Sequence, residues 1–122
     1  MVDRILSDAQ SAIVTLNAWI DGHPLNAARD AEAQTWGRIA KVSEEAGEVI
    51  AAFIAVTGQN PRKGMTGDIS DVEKELLDVA LTALCAVEHI HGGDGTSLRK
   101  LGIHAVRTLF RAKSIQETEK DF

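Results

Sequence analysis

Apolar residues recur every three or four positions through most of this chain, the spacing of one buried helix face. Ile5, Leu6, Ala9, Ala12, Ile13, Leu16 and Ile20 make such a stripe over residues 2–21, and Gly22 with His23-Pro24 stops it. The stretch to Asp30 reads as a surface connection. Trp36, Ile39, Ala40, Val42, Ala46, Val49, Ile50, Phe53 and Ile54 mark a longer helix over 31–57, ended by Gly58. Gln59 to Asp68, with Pro61, Gly64 and Gly67, reads as a loop. Ser70 with Glu73 three residues on predicts a capping box that opens a third helix. Leu76, Leu77, Val79, Ala80, Leu81, Ala83, Leu84, Val87 and Ile90 make that helix apolar over much of its circumference, which predicts burial on more than one side. Gly92-Gly93-Asp94-Gly95 is a turn, and a fourth helix is predicted over 96–118, with an acidic tail from about 117 expected to fray. No strand pattern or repeat interrupts this order. The expected architecture is all-α: a single domain over 1–122 built as a four-helix bundle.

At 122 residues the core is modest, so completion by oligomerisation is expected. A net charge of −5 argues against a broad footprint on a nucleic acid polymer. A small phosphorylated ligand stays open, because a bound metal inverts local charge. Cys85 is the single cysteine, which excludes an internal disulfide and suits a reducing compartment. With no apolar run of membrane-spanning length and no signal-peptide pattern, the expectation is a cytoplasmic protein without membrane association.

The chemistry lies in acids that interrupt the apolar stripes. Glu45 and Glu48 are three apart on the second predicted helix, and Glu75 and Asp78 are three apart on the third. Residues at that spacing share a helix face. If the two helices pack antiparallel, both pairs converge on one point. Four carboxylates there make an oxygen-rich site for Mg²⁺, with Mn²⁺ as the alternative. Glu44 would complete the shell or orient an attacking water as general base. The opposing reading is a pair of solvated faces, with Lys41 pairing Glu44 or Glu45 and Lys74 pairing Asp78. His89 and His91, two apart, point to different sides of a helix and make no joint metal site. Cys85, between Leu84 and Ala86, reads as a buried, inert thiol.

The run Lys41-Val42-Ser43-Glu44-Glu45-Ala46-Gly47-Glu48, followed by Glu75-Leu76-Leu77-Asp78, resembles the EExxE…ExxD signature of the MazG-like, all-α nucleoside triphosphate pyrophosphohydrolases. Thr57 to Gly64 is similar to the same stretch of short, single-domain members. The resemblance covers residues 36–87 closely and the helix order more loosely. It implies Mg²⁺-dependent hydrolysis of a (d)NTP to the monophosphate and pyrophosphate, in nucleotide-pool house-cleaning, by a homodimer or homotetramer. It implies Glu45, Glu48, Glu75 and Asp78 as metal ligands, and Glu44 as a further ligand or the residue that positions water. Arg62, Lys63, Lys41 and Lys74 are candidates for phosphate oxygens, and Trp36 for stacking on a base. Arg107 and Arg111 are further basic candidates on the fourth helix. Two other outcomes are open: a non-catalytic relative that binds metal and nucleotide, and a helical oligomerisation module.

Overall fold

The computed structural model describes the backbone of residues 1–120 and side chains through residue 115. It contains five helices: α1 Val2–Gly22, α2 Pro24–Ala27, α3 Ala31–Thr57, α4 Ile69–Ile90 and α5 Ser97–Lys120. No strand occurs among the described residues, and none of their helices is long and apolar enough to cross a membrane.

Three boundaries differ from expectation. The connection after α1 contains the short helix α2. Pro24 at its first turn presets a helical φ, and Asn26 Nδ2 donates to the Ile20 carbonyl at 2.8 Å, folding the segment back on α1. Helix α4 is capped by Asp68, not Ser70. Gly67 turns the chain at φ +74°, leaving Asp68 extended. Its carboxylate accepts from the Ser70 amide at 2.8 Å, and Asp71 accepts from the Asp68 amide at 2.9 Å. An Asp-x-x-Asp box two residues upstream thus takes the place of Ser70–Glu73, since Asp caps as well as Ser. Helix α5 runs to Lys120, beyond the predicted end near Thr118; the last two residues of the acidic tail lie outside the described residues. Helix α3 matches its expected range, from the Asp30 cap on the Ala33 amide (2.8 Å) to Gly58 at φ +67°.

The most extensive packing is between α3 and α4. They are antiparallel: Thr35 meets His89, while Glu45 and Glu48 meet Glu75. α1 crosses the far end of α4, where Gln10 reaches Glu88 and Asp21 reaches His89. α5 touches α4 through its first turns, and residues 99–115 are exposed along its length.

Among the described residues few apolar side chains are buried in one chain: Ile13, Val72, Cys85 and Ala86. Trp36, Ile39, Ile50 and Phe53 are about half exposed or more. With Ser43 and Ala46 they alternate three and four residues apart, the seam of a helix that packs against another helix. The chain exposes 9146 Å². A compact monomer of this mass exposes about 6,400 Å².

Candidate metal centre

Glu45 and Glu48 stand one turn apart on α3, and Glu75 faces them from α4. One carboxylate oxygen from each lies within 4.8 Å of the other two. The antiparallel pairing sets this geometry, because α3 rising from 45 to 48 passes α4 at 75. Among the described residues it is the one group of three or more metal-competent side chains.

Three carboxylates this close repel unless a cation or proton sits among them. Lys41 is the cation at the edge: its Nζ lies 3.1 Å from Glu44 Oε1 and 3.5 Å from Glu45 Oε1. The hydrogen bond to Glu44 holds the Lys41 ammonium above its ordinary pKa, against a smaller desolvation effect. Lys41 leaves Glu75 unserved. Glu75 Oε2 is sealed from solvent and has no hydrogen-bond partner. A buried oxygen without a donor carries its full desolvation cost, so native structures rarely leave one bare. An all-oxygen donor set of carboxylates fits a hard divalent cation such as Mg²⁺ or Mn²⁺ and does not suit soft metals.

The predicted site residues divide. Glu45, Glu48 and Glu75 are brought together. Asp78 is half-buried about 4.5 Å further along α4 and outside the three-carboxylate group. Glu44 also lies outside it, 60% exposed and engaged by Lys41. Arg62 and Lys63 are exposed on the 58–68 connection, which closes the end of the hairpin nearer to Glu48 and Glu75. The Thr66 amide donates to the Ala55 carbonyl at 2.8 Å and holds that connection against α3, while the Lys63 amide donates to the Asn60 carbonyl within it. Lys74 is exposed and makes no ion pair with Asp78 among the described residues. Trp36, 65% exposed, belongs to the outer seam; nine residues from Glu45, it points to the opposite side of α3. Nothing within 4 Å would meet a Cβ at Gly47, so in one chain no helix presses on it.

A second polar system, which the spacing argument did not find, lies up α3 from the acids. Arg38, 8% exposed, donates from Nη2 to Asn17 Oδ1 (2.8 Å), the Asn17 carbonyl (3.0 Å) and Asp21 Oδ1 (3.0 Å). Asp21 Oδ2 meets His89 Nδ1 at 2.8 Å, and His89 Nε2 meets Thr35 at 3.2 Å. Burial raises the Asp21 pKa, but the His89 and Arg38 contacts outweigh it and leave the carboxyl below its ordinary value. The available signal was a polar residue on each apolar stripe, Asn17 on α1 and Arg38 on α3. His89 therefore joins α4 to both α1 and α3. Beside this network a cleft of about 510 Å³ opens between α1, α3 and α4, with Leu16, Trp19, Arg38, Lys41, Leu81 and Cys85 in its lining. Cys85 is buried as expected, and burial pushes its thiol pKa up.

A third buried carboxylate is structural. Glu88, 0% exposed, accepts from the Gly95 amide (2.7 Å), Gln10 Nε2 (3.1 Å) and the Ser97 amide (3.3 Å). It satisfies the amides at the start of α5 and leaves no oxygen for a ligand.

In comparison with known proteins, the chain matches no protein family, no curated protein and no solved structure.

Proposed function

We propose that this protein is a Mg²⁺-dependent nucleoside triphosphate pyrophosphohydrolase, cleaving a (d)NTP to the monophosphate and pyrophosphate. The observation that carries the reading is the bare, buried Glu75 Oε2 beside Glu45 and Glu48. The resemblance of Lys41–Glu48 and Glu75–Asp78 to the acidic signature of MazG-like hydrolases supplies the reaction.

Glu45, Glu48 and Glu75 would hold the ion, with Asp78 the reserve ligand one turn along. The ion, when bound, neutralises phosphate charge. Water attacks the α-phosphorus, one of its protons passes to a carboxylate, and the bond to the bridging oxygen of the β-phosphate breaks. Glu44 is the candidate acceptor: it adjoins Glu45 and is held by Lys41 at 3.1 Å. Arg62 and Lys63 are the candidates for the outer phosphates, since their connection begins about 9 Å along α4 from Glu75. Lys74 is a further candidate for phosphate, whereas Trp36 faces away from the acids and does not stack on the base. The proposed setting is the cytoplasm, in nucleotide-pool house-cleaning.

The active species is proposed to be a homodimer or homotetramer. Its support is the roughly 2,700 Å² by which the chain's surface exceeds that of a compact monomer. That is more than a standard interface removes from one partner, about 800 Å². The same open seam favours the second reading, a helical assembly module with solvated acids.

Pyrophosphate release over a panel of (d)NTPs, with Mg²⁺ or Mn²⁺, tests the proposal. Turnover that disappears in Glu75→Gln supports it. No turnover on any member, together with no Mn²⁺ binding, leaves the assembly module.

A further inference from the structure

We propose that the cleft between α1, α3 and α4 holds the nucleotide's base, and that Arg38 selects bases presenting a carbonyl at its floor over bases presenting an amino group there. The inference rests on the reading of the carboxylate group as the phosphate-binding metal centre.

The cleft adjoins that centre. Lys41 lines it and also contacts Glu44 and Glu45. Arg38, Lys41, Glu45 and Glu48 follow one face of α3, and Arg38 precedes Glu45 by about 10 Å of helix rise. A nucleoside whose phosphates lie on the carboxylate group can reach back that far with its base. Arg62 and Lys63 lie towards the other end of the hairpin, so an extended triphosphate would run from cleft to connection.

The volume of about 510 Å³ lies within the range of small-molecule sites, about 300–1,000 Å³. Leu16, Trp19, Ile20 and Leu81 supply apolar walls for the faces of a planar ring. The floor supplies the specificity. Arg38 is more than nine-tenths buried and commits only Nη2; Nε and Nη1 make no hydrogen bond among the described residues. Glu75 Oε2 is the sole sealed orphan among those residues, so these N–H groups reach open space, and the open space beside Arg38 is the cleft. Asp21, the carboxylate at the floor, has one oxygen on Arg38 and the other on His89. The charged groups of the lining that keep free donors are therefore cationic: the buried Arg38 and, on the exposed side, Arg29, whose Nε alone is bonded among the described residues, to the Leu25 carbonyl. A carbonyl oxygen accepts from them, whereas an exocyclic amino group is itself a donor and is repelled. Asn17 and Asp21 fix the guanidinium from α1, so the discrimination is built in before the ligand arrives.

Calorimetric titration of the full chain with UMP, CMP, IMP and AMP tests the inference, because each keto–amino pair differs only at the exocyclic group and at the ring nitrogen beside it, which donates in the keto member and accepts in the amino member. UMP is expected to bind about tenfold tighter than CMP, and IMP about tenfold tighter than AMP, one charge-assisted hydrogen bond each. Arg38→Met should reduce both ratios to near one. Should that variant not fold, Gly37→Leu decides. Gly37 lines the cleft on α3, and nothing within 4 Å would meet its Cβ, so a leucine there starts from open space and its branch occupies the cleft. It should weaken UMP and IMP about tenfold and leave Mn²⁺ binding unchanged. Ratios near one in the parent, no binding of any of the four, or indifference to Gly37→Leu would each overturn it. Failure of the hydrolase reading looks different: monophosphates bind with the expected preference, yet no triphosphate is turned over.

Discussion

Asp21 Oδ2 stands 2.8 Å from His89 Nδ1, and Asp21 Oδ1 stands 3.0 Å from Arg38 Nη2. One carboxylate at the end of the first helix thus fastens the end of α4 to the start of α3. Asp21→Asn keeps the shape and removes the charge from both contacts. It should cost about 2 kcal/mol, read by urea unfolding at pH 7.

The same carboxylate predicts a pH dependence. Its pKa lies below the unfolded value of 3.8 because, against the opposing effect of burial, the His89 and Arg38 contacts favour the charged form. Its contribution is therefore complete above that value and lost as pH falls through the lower, folded pKa. Unfolding free energies of the parent and Asp21→Asn should converge as pH falls below about 3.8. A gap that stays constant there would contradict the assignment.

Glu88 sets the start of α5. Glu88→Ala leaves the Gly95 and Ser97 amides without their acceptor and opens a cavity, and should cost about 3 kcal/mol. Loss of hydrogen-exchange protection should concentrate in residues 95–101, where Glu88 and Gln10 meet the first turn of α5.

At the metal centre, Glu75→Gln should weaken Mn²⁺ binding at least about tenfold and leave the metal-free protein as stable as the parent or more so, since it relieves like-charge repulsion. Asp78→Asn, outside the group, should weaken it less. Electron paramagnetic titration of free Mn²⁺ reads both, and equal effects would place Asp78 in the shell. Added Mg²⁺ should raise the melting temperature of the parent and not of Glu75→Gln.

The open seam of α3 predicts association. Light scattering should give a mass at least twice 13.1 kDa. Ile50→Glu with Phe53→Glu should lower that mass, because charges in a buried seam cost several kcal/mol per interface. An unchanged mass would put the interface on another face.

Spacing alone carried the four long helices and the shared face of Glu45 and Glu48. Three-apart carboxylates share a face whatever the helix packs against, so Glu45 with Glu48 was legible, and antiparallel pairing brought Glu75. The Asp68 cap was not: Ser70–Glu73 and Asp68–Asp71 are both valid boxes, and the left-handed turn at Gly67 chose between them. Trp36 looked like a candidate because residue type shows no direction; its place on the outer seam came from which face α4 covered.

The amino-acid order by itself determined that the chain is helical, where α3 lies, and that acids interrupt apolar faces, because helical periodicity and capping are local. Which acids meet, which oxygen is left bare, and the junction of Asn17, Asp21, Arg38 and His89 were decided only in three dimensions. Those groups are up to dozens of residues apart, and their contacts depend on crossing angle and register, which a one-dimensional pattern does not encode.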